Sequence, residues 1–276
     1  MVSAATPGLS LRRGARSVSW LSSLTLSTAS IVGLVAFLYP FVLSRSPDDG
    51  ENAAHAGDAP LIFGLLAGLA AVLFLVELTS HGMNAKVASA LAVLAMAAAI
   101  LRLPPLPAGA SAFFFLVILG GYVFGARFGF LLGSLALFLS ALASGGFGPW
   151  VPFQMFAAGW VGMTAGWLGA LSPALARRPR LELLVIMLFA AVSGFAFGAL
   201  MNLWFWPFVA TGDSVSWHPG LGAAATARHY WAFYLLTSAG WDAWRALANI
   251  VLIGVAGRPT LRVLLRYRDR FTVRFA

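Results

Sequence analysis

The chain has 276 residues, 60% of them from the set AVILMFWYC, only 10% charged, with a mean hydropathy of +0.86. A water-soluble globule of this length cannot hide so much hydrocarbon, and a chain with so little charge cannot stay solvated as a disordered one. The formal charge is +9, but no cysteine is present and the four histidines lie far apart, so disulfide, thiolate-metal and cysteine-nucleophile chemistry are excluded and no metal-ligand spacing is found.

The bilayer is therefore the expected solvent, and the fold class is an all-α integral membrane protein. A span needs roughly 20 mainly apolar residues to cross about 30 Å of hydrocarbon. In chain order, eight segments qualify: 18–43, 60–78, 85–103, 111–125, 128–143, 152–171, 183–208 and 230–256. They are expected to be helices, because an isolated strand in lipid leaves its backbone unpaired and the alternation of a membrane barrel is absent. Residues 1–17 are polar and basic. The apolar stretch that follows is too long for a signal-peptide core, so it reads as a retained span.

Orientation follows from arginine and lysine. With the N-terminus in the cytoplasm, fourteen of the 18 basic residues fall inside, Arg45, Arg102 and Arg228 fall outside, and Arg245 lies within a span. The first outer loop then carries Asp48, Asp49, Glu51 and Asp58. This segregation predicts eight spans with both termini cytoplasmic. It also explains the basic balance through the membrane and removes the need for a nucleic-acid partner. After the last span, Arg258, Arg262, Arg266, Arg270 and Arg274 recur at every fourth residue. A helix there would carry a basic stripe, suited either to anionic lipid headgroups or to a partner face.

Small residues recur at helical spacing. Ala88, Ala92, Ala95 and Ala99 share one face of the third span, and Gly129/Gly133, Gly162/Gly166 and Gly194/Gly198 are i,i+4 pairs that permit close helix approach. For the glycine pairs, ordinary internal packing is a sufficient reading.

The catalytic inventory is nearly empty. Lys86 is the only lysine, and no Gly-rich loop precedes it, so the chain has no nucleotide site. Asp242 is the one acid within a predicted span. Arg245 lies one turn on, which leaves two readings open: a functional pair, or a self-neutralising pair that fixes packing. No cofactor or metal is expected. Two exterior clusters differ from simple aromatic belts. Residues 144–155 combine three glycines and two prolines with Phe147, Trp150, Phe153 and Gln154. Residues 201–208 add Asn202, Trp204 and Trp206, with Trp217 and His218 further on. Belt anchors need neither turns nor amides, so the two clusters suggest the mouth of a pocket for a small ligand.

The octapeptide Gly148-Pro-Trp-Val-Pro-Phe-Gln-Met155, opening a Gly-rich span with Trp160, resembles a signature of substrate-binding S components of energy-coupling factor (ECF) transporters. The resemblance covers roughly residues 85–257, which hold six predicted spans. The stretch Asn202-Leu-Trp-Phe-Trp-Pro207 is similar to a segment of members associated with cobalamin-type substrates. The resemblance implies a prokaryotic plasma-membrane subunit, not an enzyme, that captures a vitamin such as cobalamin from outside. It implies docking on a membrane scaffold subunit that carries two cytoplasmic ATPases, followed by toppling and inward release. Docking would use the A-x-x-x-A face, matched here by Ala88 and Ala92 and extended by Ala95 and Ala99. Ligand contacts would come from Trp150, Phe153, Gln154, Asn202, Trp204 and Trp206. Arg102 would meet an anionic group, and Asp242 and Arg245 would form the pocket floor. Residues 1–80 would be a two-span extension, 81–257 the six-helix core and 258–276 a basic cytoplasmic segment. The rival readings are an intramembrane lipid-modifying enzyme using Asp242 and a purely structural membrane scaffold.

Overall fold

A computed structural model describes residues 8–42, 59–79, 85–104, 111–175, 177–208 and 214–269. The acidic outer loop, the ends of two further predicted loops (105–110 and 209–213), Arg270 and Arg274 lie outside the described residues. Within them the fold is helical throughout. The first six helices are α1 (Gly8–Val42), α2 (Ala59–Thr79), α3 (Ala85–Arg102), α4 (Phe113–Phe124), α5 (Ala126–Ser144) and α6 (Val151–Gly169). A single turn, α7 (Ser172–Leu175), leads to α8 (Pro179–Phe205), which ends in a 3-10 turn. Then come α9 (Ala223–Thr237), α10 (Ala239–Leu252), a π-helical turn (Ile253–Gly257) and α11 (Arg258–Asp269).

Among the described residues, five stretches are long and apolar enough to cross a membrane: Ser23–Val42, Ala85–Arg102, Ala126–Ser144, Pro179–Phe208 and Ala239–Asp269. Pro60–Val76 and Phe113–Phe124 are apolar but shorter. The sixth predicted span is present as α6. Its composition is less apolar because α6 is the inner helix, packed against α1, α2, α4, α5 and α8. A helix wrapped by protein can carry Gln154, Thr164 and four glycines without presenting them to lipid.

The eighth predicted span, 230–256, is not one helix. The chain breaks at Ser238, between α9 and α10. The Ser238 hydroxyl donates to Asn202 Oδ1 at 2.9 Å, and the bend lets the Tyr234 hydroxyl reach Asp242 Oδ2 at 2.9 Å. These two bonds hold the kink from both sides. At its far end the span does not stop at 256. The helix runs through the π turn to Asp269, so the basic segment continues the span. At 1.5 Å per residue, the 31 residues reach about 46 Å, more than the hydrocarbon needs. Leu261 and Leu264 bury α11 against α4, while Arg262 and Arg266 stay exposed. Arg268 Nη1 donates to the Val123 carbonyl at 3.4 Å.

The tightest seam joins α4, α5 and α6. A Cβ on Gly129 would land on the Gly162 carbonyl, and one on Gly162 would land on that of Gly129. Gly121 of α4 meets the same Gly162 carbonyl, Gly133 meets that of Ala158, and Gly166 meets the backbone of Ala126. In lipid, helices gain little from hydrophobic burial against each other, so backbone-to-backbone contact of this kind supplies the cohesion. The third glycine pair lies on α8 and faces α10. A Cβ on Gly194 would come within 3.3 Å of the Ala246 backbone, and the space beside Gly198 is filled by the Asp242 carboxylate.

Helix α1 is fastened to α6 by three kinds of contact. Gly33 leaves room for the Phe156 ring. Phe37 meets Phe153 edge-on at 5.1 Å and Trp160 at 5.8 Å. The Trp160 indole N–H donates to Ser30 Oγ at 3.2 Å. Ser30→Ala leaves the indole ring in place and removes only that hydrogen bond. It is expected to lower unfolding free energy by about 1 kcal/mol, measurable by thermal unfolding in lipid nanodiscs. An unchanged transition would mean that the aromatic contacts alone hold α1.

Candidate functional site

The predicted Gly-Pro-Trp turn forms as expected of its residues. Gly145, at φ 65°, ends α5 in the left-handed region that favours glycine. The Val151 N–H donates to the Gly148 carbonyl at 3.0 Å, and Pro152 sits in the first turn of α6, where a missing N–H costs nothing. The turn sets Trp150 at the head of α6 and Gln154 one turn in.

Beside it lies a cleft of about 490 Å³ between the head of α6, the last turns of α8 and the first turns of α10. Helix α6 contributes Trp150 and Gln154. Helix α8 contributes a stripe of residues at helical spacing, Phe197, Gly198, Met201, Asn202 and Phe205, together with Trp204. From the other wall come Ser238 just after α9 and Trp241, Asp242 and Arg245 of α10. The structure thus brings together six of the sequence-nominated residues: Trp150, Gln154, Asn202, Trp204, Asp242 and Arg245.

Three others do not line the cleft. Arg102, the last residue of α3, stands behind Gln154. Its Nη2 donates to Gln154 Oε1 at 3.3 Å and its Nη1 to Ser140 Oγ at 3.1 Å. Phe153 is fully buried, wedged between Phe37 and Trp204, because consecutive residues of α6 point to different sides. Trp206 sits in a separate buried cluster with Trp217 and Phe233, its indole N–H donating to the Val215 carbonyl at 2.8 Å. Phe41 of α1 packs on both tryptophans, at 5.8 and 5.4 Å. These aromatic residues stiffen the walls from behind.

Asp242 and Arg245 form an ion pair in the lining of the cleft. Asp242 is buried, with one carboxylate oxygen paired to Arg245 and the other accepting from Tyr234. Arg245 also donates to the Gly194 carbonyl at 3.3 Å and lies over the Phe197 ring, 5.4 Å from its centre. Further along the same face of α10, the Asn249 amide donates to the Ala190 carbonyl at 3.3 Å. Ser238, Tyr234, Phe197 and Trp241 were not singled out from the sequence. The α8 stripe containing Phe197 was legible in its spacing, whereas Tyr234 and Ser238 depend on the break in the last span.

The alanine face of α3 divides. Ala95 and Ala99 are buried in the bundle, since α3 packs on α4 and α5 along that side, and they are not available to a partner. Ala88 is half-buried and Ala92 exposed. The surface of α3 that remains open is lined by Ser89, Ala92, Val93, Met96 and Ile100. No group of three or more His, Cys, Asp or Glu placed to hold a metal occurs among the described residues.

Long apolar helices around an aromatic cleft with a few polar groups describe a membrane protein that binds a small molecule. The family model of the ECF transporter substrate-specific component matches residues 61–256, well over half of the chain, and the chain belongs to that family. Its members are substrate-binding subunits of multi-pass membrane importers. As a family property they work with an ECF scaffold and an ATPase module, and ATP hydrolysis lies on those separate subunits. The match begins within α2 and includes the whole cleft. No curated protein and no solved structure matches the chain.

Proposed function

We propose that this chain captures a micronutrient from outside a prokaryotic plasma membrane and passes it inward after docking on an ECF scaffold with two ATPases. The observation that carries the reading is the cleft: amides from two helices and an ion pair gathered between aromatic walls, inside the residues matched by the family. A ligand-binding cavity needs such a few fixed polar groups in an apolar lining. Its volume suits a ligand of ordinary drug-like size. That favours a vitamin smaller than the corrinoid suggested by the Asn202–Pro207 stretch, which would need a larger cavity.

In this reading the chain crosses the membrane eight times with both termini in the cytoplasm. The shorter α2 and α4 and the protein-wrapped α6 complete the count. The cleft then opens toward the exterior, and α11 lies at the cytoplasmic surface. Ala88 and Ala92 form the scaffold contact near the cytoplasmic end of α3. Helices α1 and α2 are an extension that moves with the core, because α1 is bonded and stacked to α6. The absence of cysteine makes the orientation directly testable. A single cysteine introduced at Gly146 is expected to react with an impermeant thiol reagent in intact cells. Labelling only after the cells are opened would reverse the orientation and remove the importer. Uptake of a vitamin identified by mass spectrometry in denatured, purified protein is expected to require the ATPases. Uptake that persists without them would exclude ECF-type transport.

A further inference from the structure

The hydrogen-bonding polarity of the cleft identifies the kind of ligand it takes, an inference that rests on the proposed binding role of this same site. A guanidinium can only donate, so the Arg102 contact fixes the Gln154 carbonyl toward Arg102 and turns the Gln154 Nε2 amide away from it. On the opposite wall the Ser238 hydroxyl fixes the Asn202 carbonyl at 2.9 Å. The Asn202 Nδ2 amide, in a residue only 8% exposed, is buried with no partner. A buried donor left unmatched is costly, and a bound acceptor removes the cost. Asp242, the one carboxylate among the described residues lining the cleft, is already engaged at both oxygens, by Tyr234 and Arg245. Among the described side chains that line the cleft, N–H donors therefore outnumber open acceptors. Its walls are flat: Trp150, Trp241 and Phe205 all face the same space.

We propose that the cleft selects a planar, acceptor-rich ligand, carrying ring nitrogen, carbonyl or carboxylate atoms at its edge, and discriminates against cationic ones. Gln154 and Asn202 are the specificity-determining pair. Arg102 and Ser238 are positioning residues that act through them by holding each amide the right way round.

The test uses the full-length protein in nanodiscs and three matched bicyclic probes: quinoline-6-carboxylate, quinoline-6-carboxamide and quinolin-6-ylmethylammonium. Calorimetry is expected to show the carboxylate and carboxamide binding at least ten-fold more tightly than the ammonium. Asn202→Asp and Gln154→Glu each replace an N–H donor by an acceptor of the same shape. Each is expected to weaken the first two probes at least ten-fold and to strengthen the ammonium. The two substitutions lie on different helices, so a folding failure of one leaves the other informative. The proposal is overturned if the ammonium binds best, if both folded variants keep the wild-type order, or if none of the probes binds protein that unfolds cooperatively. Each of those results is separate from ATPase-dependent uptake, which judges the importer reading by itself.

Discussion

Asp242→Ala is expected to destabilise the protein by about 3 kcal/mol, the low end for breaking a buried ion pair. The Asp242 side chain is 2% exposed, whereas that of Arg245 is 24% exposed, so part of the stranded charge can find water or headgroups. What remains is a part-buried guanidinium with the Gly194 carbonyl and the Phe197 ring as its partners, and a Tyr234 hydroxyl with no acceptor. Tyr234→Phe, which spares the charge pair, is expected to cost only about 1 kcal/mol. Combining Asp242→Ala with Arg245→Met is expected to recover much of the loss, since removing both charges leaves none to desolvate. Thermal unfolding in nanodiscs of the three variants measures all of this. If Asp242→Ala melts with the wild type, the pair does not hold α8 to α10, and the functional reading of Asp242 gains ground.

Gly162→Leu is expected to have an equally large effect by a different route. The position where its Cβ must go is occupied by the Gly129 carbonyl, which belongs to backbone and cannot rotate aside. Overpacking usually costs about 1–3 kcal/mol, and a clash with backbone on two facing helices lies at or above the top of that range. The expected result is loss of folded protein on expression, or a melting transition lowered by many degrees. Gly68→Leu on α2 is the matched control. No atom lies within 4 Å of its Cβ position, and a change within about 0.5 kcal/mol is expected. A folded Gly162→Leu protein with a normal transition would show that the α5–α6 seam is looser than described.

Much of the fold was legible because its signals are periodic and local. Length and hydropathy marked α1 to α6 and α8, and the glycine pairs pointed to the seams that form. The reading missed what depends on a partner far along the chain. The break at Ser238 is held by Asn202, 36 residues earlier, and Ser238 and Gly240 within the 230–256 stretch do not specify it by themselves. The same dependence explains the alanine stripe. Four alanines share a face of α3 by spacing alone, but the packing of α4 and α5 decides that Ala95 and Ala99 turn inward. At the site, residue types were informative and neighbours in sequence were misleading. Gln154 and Phe153 are adjacent, as are Trp206 and Phe205. Because successive helical residues point in directions about 100° apart, one of each pair lines the cleft and the other braces it.

From Ala239 to Asp269 the chain runs on as one rod through α10, the π turn and α11, with Asp242 at the cleft and Arg268 against the far end of α4. A hydrogen-bonded helix resists twisting, so its two ends are mechanically joined. If filling the cleft rolls α10 about its axis, the arginine-bearing side of α11 must roll by the same angle, except for whatever the wider π turn at Ile253–Gly257 absorbs. The occupancy of one membrane face would then be written into the charge orientation of the other by a single torsion shaft, with no loop rearrangement between them.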